Sequence, residues 1–156
     1  MLCQYLASTE GLEATFARGV AYGRISTRGI EWAEKKLGGV ARNWSPAQQA
    51  QLLLCLPSES RTWDLMEKLG PETEQDYWRL VRPYGIRNST DVERAALKLT
   101  QYERPYSAVE LLADHTKDEP PLSVTLLVDV LEQAVLSNTE HDRPTSGIKC
   151  VSHRFI

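Results

Sequence analysis

The chain of 156 residues has few cysteines, no long apolar run and no excess of positive charge. Its three cysteines, Cys3, Cys55 and Cys150, are widely spaced and odd in number, which favours free thiols in a reducing compartment over a disulfide framework. No apolar run approaches the roughly 20 residues of a membrane span. Residues 1–6 lack the basic region and long apolar stretch of a secretory signal. The sequence therefore predicts a cytoplasmic protein that does not enter a membrane.

The formal net charge of −3 excludes the broad basic footprint of a general nucleic-acid-binding protein. Hydrophobic residues make up 42% of the chain and charged residues 25%, which is ordinary for a globular protein and argues against general disorder. The length fits one domain or a small number of helical repeats. Length, charge and composition therefore do not determine the fold, and they inform about function only by excluding classes such as general nucleic-acid-binding proteins.

Catalytic signatures are also lacking. The sequence has no glycine-flanked serine of the nucleophile-elbow type and no glycine-rich loop ending in Gly-Lys-Ser or Gly-Lys-Thr. Asp114 and His115 are adjacent, but a histidine that interacts with a helix C-terminus explains the pair better than a general base. His141, Cys150 and His153 supply three potential zinc ligands where a structural site needs about four. We therefore expect no enzyme activity, no cofactor and no metal.

The patterns that are present predict helices. No sustained apolar–polar alternation and no Asn-Gly or Asp-Gly turn indicates a strand. The stretch from Pro71 to His115 predicts a helix, a break at Pro83 and Gly85, and then two further helices. Thr90 and Glu93 have the spacing of a capping box at the start of the middle helix. The sequence around this stretch repeats the same alternation of apolar stripes and breaks.

The last two helices of that stretch are separated only by a break at Arg104 and Pro105. Proline disfavours a helical conformation in the residue before it and is well placed to begin the next helix. Because the linker is short, we expect the two helices to form an antiparallel hairpin. The small side chains of Ala95, Ala96 and Ala108 would let the helix axes approach closely.

Helices are predicted on both sides of this hairpin as well. Leu12, Phe16 and Val20 are predicted to share the inner face of a first helix that ends at Gly23, and Thr27 to cap a second helix. The second helix is predicted to end at Gly38-Gly39, and Ser45-Pro46 to begin a third. Several other positions are predicted to face the core at helical spacing, namely Ile30, Ala33, Leu37, Ala47, Ala50, Leu53, Leu54, Trp63, Met66, Trp78, Tyr84, Ala113, Leu126, Leu127, Val130, Leu131, Ala134 and Val135.

One all-helical domain is predicted over residues 1–139, followed by residues 140–156 as a polar tail or a truncated further helix. Ile148, Val151 and Phe155 recur at helical spacing in that last segment. The expectation that follows is that the chain is a fragment of a longer repeat protein, because helical arrays normally finish with a polar capping helix.

Helix starts recur at intervals of roughly 30–33 residues, a spacing typical of stacked helix pairs. The stretch from Tyr102 to Leu112, with its break at Arg104-Pro105 and the small Ala108 after it, resembles a hairpin of the tetratricopeptide or HEAT-like repeat class. The resemblance covers about residues 45–140 and extends to helical repeats of large bacterial proteins. It implies an all-α fold of about seven helices, with antiparallel hairpins stacked as a short right-handed α-solenoid or an irregular helical bundle.

Such folds favour a non-catalytic protein-interaction scaffold or a regulatory helical-repeat segment, whose partner is another protein or the remainder of a longer chain. The candidate partner-binding residues combine positive charge with tryptophan in the N-terminal third: Arg24, Arg28, Trp32, Lys36 and Trp44. Two alternatives stay open, a nucleic-acid-associated domain that uses this basic face and a small enzyme with an unrecognised site. A solvated helix surface is the simpler explanation of the charges.

Overall fold

The computed structural model describes residues 12–117 and 121–137, and in these residues the chain is helical without strands. The all-α prediction is confirmed for the described residues. The eight α-helices are α1 (Leu12–Arg28), α2 (Ile30–Gly38), α3 (Pro46–Leu53), α4 (Ser60–Glu67), α5 (Pro71–Leu80), α6 (Ser89–Gln101), α7 (Pro105–Asp114) and α8 (Val124–Leu136), and a 3₁₀ turn spans Val40–Asn43. No helix in the described ranges is both long enough and apolar enough to cross a membrane.

Each helix packs on its neighbour in sequence, and some also pack on the helix after that. The contact between α6 and α7 is the most extensive, followed by those between α3 and α5 and between α7 and α8. The α6 helix also packs against α8, and α1 against α3. These contacts are those of a helical bundle.

Two arginines make equivalent contacts along the even-numbered helices. Arg61 of α4 forms ion pairs with Glu31 and Glu34 of α2, which lie 30 and 27 positions earlier. Arg94 of α6 forms ion pairs with Asp64 and Glu67 of α4, again 30 and 27 positions earlier. The ion pairs between α2 and α4 and those between α4 and α6 therefore join residues that are separated by the same numbers of positions along the chain.

An aromatic cluster between α4 and α5 forms the centre of the core. Trp63 and Trp78 are buried with their ring centroids 5.5 Å apart, and Tyr77 meets the Trp78 ring edge-on at 5.3 Å. The prediction that both tryptophans pack between helices is confirmed. Nearby, Thr73 Oγ1 donates a 2.8 Å hydrogen bond to Gln49 Oε1, which joins α5 to α3. The Trp78 Nε1 group is buried without a hydrogen-bond partner among the described residues.

The predicted α6–α7 hairpin is confirmed, and Ala95, Ala96 and Ala108 are fully buried between its helices. The turn depends on Glu103, whose φ of 59° is in the left-handed region that usually favours glycine. The Arg104 N–H donates to Leu99 O at 2.8 Å and the Glu103 N–H to Thr100 O at 3.1 Å. This pair of hydrogen bonds closes the helix end without a glycine.

Arg104 also fixes the end of α5. Its guanidinium donates hydrogen bonds to the main-chain oxygens of Trp78 at 2.9 Å and Val81 at 2.6 Å. Carbonyl groups in the last turn of a helix have no partner within the helix, and a cation there also interacts favourably with the helix dipole. A residue in the turn of the α6–α7 hairpin thus stabilises the helix that comes before the hairpin.

The predicted capping box at Thr90 and Glu93 is wrong. The cap is Asn88, whose side chain accepts a 2.7 Å hydrogen bond from the Asp91 N–H. Glu93 instead accepts a 2.7 Å hydrogen bond from the Ser123 N–H before α8. By contrast, Ser45 and Gln48 form a complete capping box at α3, where Ser45-Pro46 predicts the helix start.

The first helix does not end at Gly23, because glycine is compatible with a helical conformation there and α1 continues to Arg28. The break comes at Gly29, whose φ is 71°, and Gly29 rather than Thr27 precedes α2. Leu12 and Phe16 are exposed and Val20 is half-buried, so the predicted inner face of α1 is also wrong. Ala17 and Ala21 face the core instead, because small side chains allow α1 to lie close to its neighbours.

Five other residues predicted to face the core are exposed, and Leu54 and Leu127 are half-buried: the exposed residues are Ala47, Tyr84, Ala113, Leu131 and Val135. Helical spacing identifies a stripe but not the width of the face that a neighbouring helix covers. The remaining predicted core positions from Ile30 to Ala134 are buried. The expectations for residues 140–156, including His141, Cys150 and His153, lie outside the described residues.

Candidate functional site

A groove with a volume of about 620 Å³ lies where the end of α1, the α3–α4 connection and the end of α5 meet. Its size is in the range of ligand and side-chain pockets, and its lining is mainly apolar with a few polar groups. The residues that line it are Tyr22, Ile25, Ser26, Gly29, Ile30, Leu54, Cys55, Leu56, Pro57, Ser58, Glu59, Tyr77, Val81, Arg82 and Tyr84.

Local backbone features give the groove its walls. Gly29 separates α1 from α2 with a left-handed conformation, so that Ile25 and Ile30 line the same groove from two helices. The α5 helix ends at Leu80, and the extended conformation of Val81 carries Arg82 and Tyr84 along the opposite wall. The groove therefore forms where two helices end beside each other.

Two tyrosines are exposed at the groove. Tyr22 on α1 is 54% exposed and Tyr84 beyond α5 is 74% exposed. Tyrosine combines a large apolar ring with a hydrogen-bonding hydroxyl, and it is enriched among the residues that dominate binding energy in protein interfaces. The two rings make the groove an open apolar surface with polar atoms at its edge.

The floor of the groove includes Tyr77, which is almost completely buried. Its hydroxyl accepts a 3.2 Å hydrogen bond from Trp63 Nε1, and it is also hydrogen-bonded to Ser58. Burial raises the pKa of Tyr77 to about 12, while these hydrogen bonds act in the opposite direction. The phenol keeps its proton at neutral pH and has a structural role in the floor.

Cys55 is the thiol that lines the groove, and its Sγ donates a hydrogen bond to Gln51 O at 3.4 Å. Burial raises the pKa of Cys55 to about 11, although the nearby positive charge of Arg18 opposes the shift. A raised pKa removes the thiolate, which is the nucleophilic and metal-binding form of cysteine. Glu59 and Arg82 add one charge of each sign to the lining.

The five residues predicted to bind a partner lie elsewhere. Arg24 and Arg28 are exposed one turn apart on α1, and Lys36 is exposed on α2. Trp32 lies one turn before Lys36, and both it and Trp44 are half-buried against the core. None of these five described residues lines the groove. Their role in binding stays a prediction.

Sequence reasoning missed Tyr22 and assigned Tyr84 to the core. A signal for Tyr84 is present, because Pro83 and Gly85 flank it and residues beside helix breaks are commonly at the surface. For Tyr22 the only local signal is its position outside the stripe formed by Ala17 and Ala21. Tyr22 and Tyr84 line one groove because the tertiary fold brings α1 and the end of α5 to it, which spacing alone does not predict.

Other candidate chemistry has structural explanations. Glu74 at the start of α5 accepts a 2.6 Å ion-pair hydrogen bond from Lys98 of α6. His115 ends α7, with its N–H donating to Leu112 O at 3.1 Å, and the adjacent Asp114 is exposed. Within residues 12–117 and 121–137, no three histidine, cysteine, aspartate or glutamate side chains cluster in a way that would hold a metal ion.

Comparison of the chain with protein-family models, with curated proteins and with solved structures gave no significant match.

Proposed function

We propose that this chain is a non-catalytic protein-interaction scaffold whose binding surface is the groove between α1 and the end of α5. The observation that carries the proposal is the exposure of Tyr22 and Tyr84 beside an apolar floor. Exposed aromatic rings in a concave apolar surface match the composition of interface hot spots, whereas isolated exposed apolar residues need no explanation. A segment of another protein would insert an apolar side chain between the two rings.

The titratable groups of the groove favour binding over catalysis. Catalytic nucleophiles and bases have pKa values shifted toward the working pH. Cys55 and Tyr77 are shifted the other way, to about 11 and about 12, because burial stabilises their neutral forms. Both groups therefore remain protonated at neutral pH, which supports a role in shaping the groove.

Contacts between the helices support the same proposal at the level of architecture. The repeated contacts of Arg61 and Arg94 hold α2, α4 and α6 in register, and Arg104 holds the end of α5 against the start of α7. A binding surface held by fixed helix ends loses little conformational entropy when a partner binds. We infer that the chain functions as a helical-repeat segment that presents this groove.

The test is retention of proteins from nuclease-treated and untreated lysate by the immobilised full chain, read by mass spectrometry. Wild type is compared with a Tyr22→Ala/Tyr84→Ala variant and with Leu97→Ala, which removes an exposed apolar side chain from α6 outside the groove. The expected result is a discrete protein retained by wild type and by Leu97→Ala and lost by the double variant. Titration of that protein should show an affinity loss of roughly tenfold or more for the double variant, about 1.4 kcal/mol.

Thermal melting of the variants checks that a loss of binding is not caused by unfolding. Because both tyrosines are exposed, we expect their replacement to change stability little. Equal retention by wild type and the double variant would contradict the groove as the binding surface. Retention that disappears only after nuclease treatment would favour the nucleic-acid alternative and direct attention to Arg24, Arg28 and Lys36.

A further inference from the structure

The α4 helix begins without a capping side chain of its own. Glu59 precedes its first turn, and the Glu59 side chain forms no capping hydrogen bond with the main-chain N–H groups that follow. The first N–H groups of a helix have no partner within the helix, so a side chain or water must accept from them. Here an acceptor comes from α6, because the Ser60 N–H donates a 3.3 Å hydrogen bond to Asp91 Oδ2.

Asp91 is a buried carboxylate that is held by hydrogen bonds. Its side chain also accepts hydrogen bonds from Ser60 Oγ and, at 2.9 Å, from Asn88 Nδ2. Asp91 is 6% exposed and forms no ion pair with another described residue. Burying a carboxylate is costly unless hydrogen-bond donors surround it, and these donors belong to the first residue of α4 and to the residue before α6. Asp91 therefore joins the N-termini of two helices.

One wall of the groove lies immediately before this junction. Residues 57–59 line the groove and lead directly into Ser60, whereas Asp91 is not part of the lining. Two other hydrogen bonds reach this wall, since Thr62 Oγ1 donates to the first carbonyl of the segment at 2.8 Å and the Tyr77 hydroxyl is hydrogen-bonded to its middle residue. Asp91 supplies the attachment of the wall to α6.

We propose that Asp91 is a positioning residue of the groove, which holds residues 57–59 in place by capping α4 from α6. Without its carboxylate, the Ser60 N–H and hydroxyl lose their acceptor, and the first turn of α4 separates more readily from α6 together with the wall. The importance of Asp91 for partner binding rests on the proposed function, because the groove is the proposed binding surface. Cys55 lines the groove two positions before the wall, so its thiol reports an opening of the wall without any partner.

The experiment measures how fast iodoacetamide modifies Cys55 in the folded full chain at pH 8. Mass spectrometry of the peptide that contains Cys55 distinguishes it from the other two cysteines. Cys55 is 2% exposed, so a local or a global opening must precede its modification. Rates are measured over a series of urea concentrations below the unfolding transition. Modification through local opening depends little on urea, whereas modification through global unfolding rises steeply, because the urea dependence scales with the surface that is exposed.

Asp91→Ala removes the acceptor and is expected to raise the urea-independent rate roughly five- to tenfold, the usual effect of losing a helix cap. Asp91→Asn can keep all three hydrogen bonds, because its amide oxygen can replace Oδ2 while its amide nitrogen donates to Ser60 Oγ. Its rate should therefore stay within about twofold of the wild-type rate. Ser60→Ala removes one of the three hydrogen bonds, should give an intermediate rate, and keeps the test decisive if Asp91→Ala does not fold.

Ser123→Ala is the matched control, since Ser123 Oγ caps α8 by accepting from the Leu126 N–H at 3.4 Å and does not line the groove. It should lower global stability and leave the urea-independent rate of Cys55 modification unchanged. A rise in that rate equal to the rise in Asp91→Ala would overturn the proposal, because any loss of stability would then open the wall.

Urea-independent rates of Asp91→Ala and Ser60→Ala equal to the wild-type rate would also overturn the proposal. A rate in Asp91→Asn as high as in Asp91→Ala would do the same, because the three hydrogen bonds would then not be what holds the wall. A rise in Thr62→Val without one in Asp91→Ala would assign the wall to the hydrogen bond of Thr62 instead. Partner retention by the Tyr22→Ala/Tyr84→Ala variant is a separate measurement, so a failure of the proposed function and a failure of this role of Asp91 are distinguishable.

Discussion

Trp63 Nε1 donates a 3.2 Å hydrogen bond to Tyr77 Oη, and this bond joins α4 to α5 in the centre of the core. Both residues are 1% exposed, so neither group has access to solvent water. Tyr77 is also one of the residues that line the groove. One buried hydrogen bond therefore connects the stability of the core with the shape of the proposed binding surface.

Replacing Tyr77 with phenylalanine should lower the free energy of unfolding by about 1–3 kcal/mol, because Trp63 Nε1 is left buried without its acceptor. Urea unfolding monitored by tryptophan fluorescence measures the change. Tyr84→Phe is the matched control, since its hydroxyl belongs to an exposed ring and its loss should change stability by less than about 0.5 kcal/mol. Equal effects of the two substitutions would contradict the structural role of the Trp63–Tyr77 bond.

The two equivalent arginines should contribute unequally to stability. Arg94 lies over the Trp63 ring at 5.6 Å from its centroid, whereas Arg61 is almost half exposed beside Glu31 and Glu34. Exposed ion pairs contribute about 0–1 kcal/mol, and a partly shielded cation over an aromatic ring adds about 0.5–1 kcal/mol. Arg94→Met should therefore destabilise the chain by about 1 kcal/mol and Arg61→Met by less than about 0.5 kcal/mol.

The dependence of stability on salt distinguishes the contribution of the Arg61 ion pairs from that of the Arg94 contacts. Urea unfolding in 1 M NaCl should remove the effect of Arg61→Met, because exposed charges are screened over a few ångströms. Part of the effect of Arg94→Met should persist, since its packing against Trp63 is not purely electrostatic. Arg79→Met, at an exposed residue of α5 without an ion pair in the described residues, controls for loss of charge. Identical salt responses for Arg61 and Arg94 would be evidence against this distinction.

Stability should fall as the pH rises above about 9. Burial raises the pKa of Cys55 from its ordinary value of 9.0 to about 11, so the unfolded chain releases this proton at a lower pH than the folded chain. The associated stability is fully present below pH 9.0 and is lost as the pH approaches 11. Tyr77 extends the loss toward pH 12 for the same reason.

Urea midpoints measured at intervals between pH 8 and pH 11 test this dependence. Cys55→Ala should flatten the curve over that range, at the cost of a small cavity that lowers stability at every pH. Native Cys55 should also react slowly with iodoacetamide at pH 8 and rapidly after unfolding, because the folded thiol is neutral and buried. An unchanged pH curve in Cys55→Ala would show that other groups cause the alkaline loss.

Sequence reasoning predicted most of the fold where local chemistry determines it. The helix start at Ser45-Pro46 and the hairpin break at Arg104-Pro105 were both predicted, because capping hydroxyls and proline act through their immediate neighbours. The prediction that Ile30, Ala33 and Leu37 face the core was correct, because all three lie on one side of α2 and that side is buried. The Thr90–Glu93 prediction failed because Asn88 offered a competing cap two residues earlier.

The groove and the exposed apolar side of α8 were not predictable in the same way. Leu131 and Val135 have the same local pattern as the buried Val130 and Ala134, and only the positions of α6 and α7 decide which side is covered. Likewise, Tyr22 and Tyr84 come to one groove because the tertiary fold brings α1 and the end of α5 to it. Surfaces formed between distant segments depend on tertiary geometry, which helical periodicity does not contain.

Two glycines near the groove should respond in opposite directions to alanine. Gly23 is inside α1 and a Cβ there meets open space, so Gly23→Ala should raise stability by about 0.5–1 kcal/mol through its higher helix propensity. Gly29 has a φ of 71° and a Cβ there would collide with the carboxylate of Glu31. Gly29→Ala should therefore lower stability by about 1–2 kcal/mol. Thermal melting of both variants measures the difference, and shifts of the same sign would contradict the placement of the α1–α2 break at Gly29.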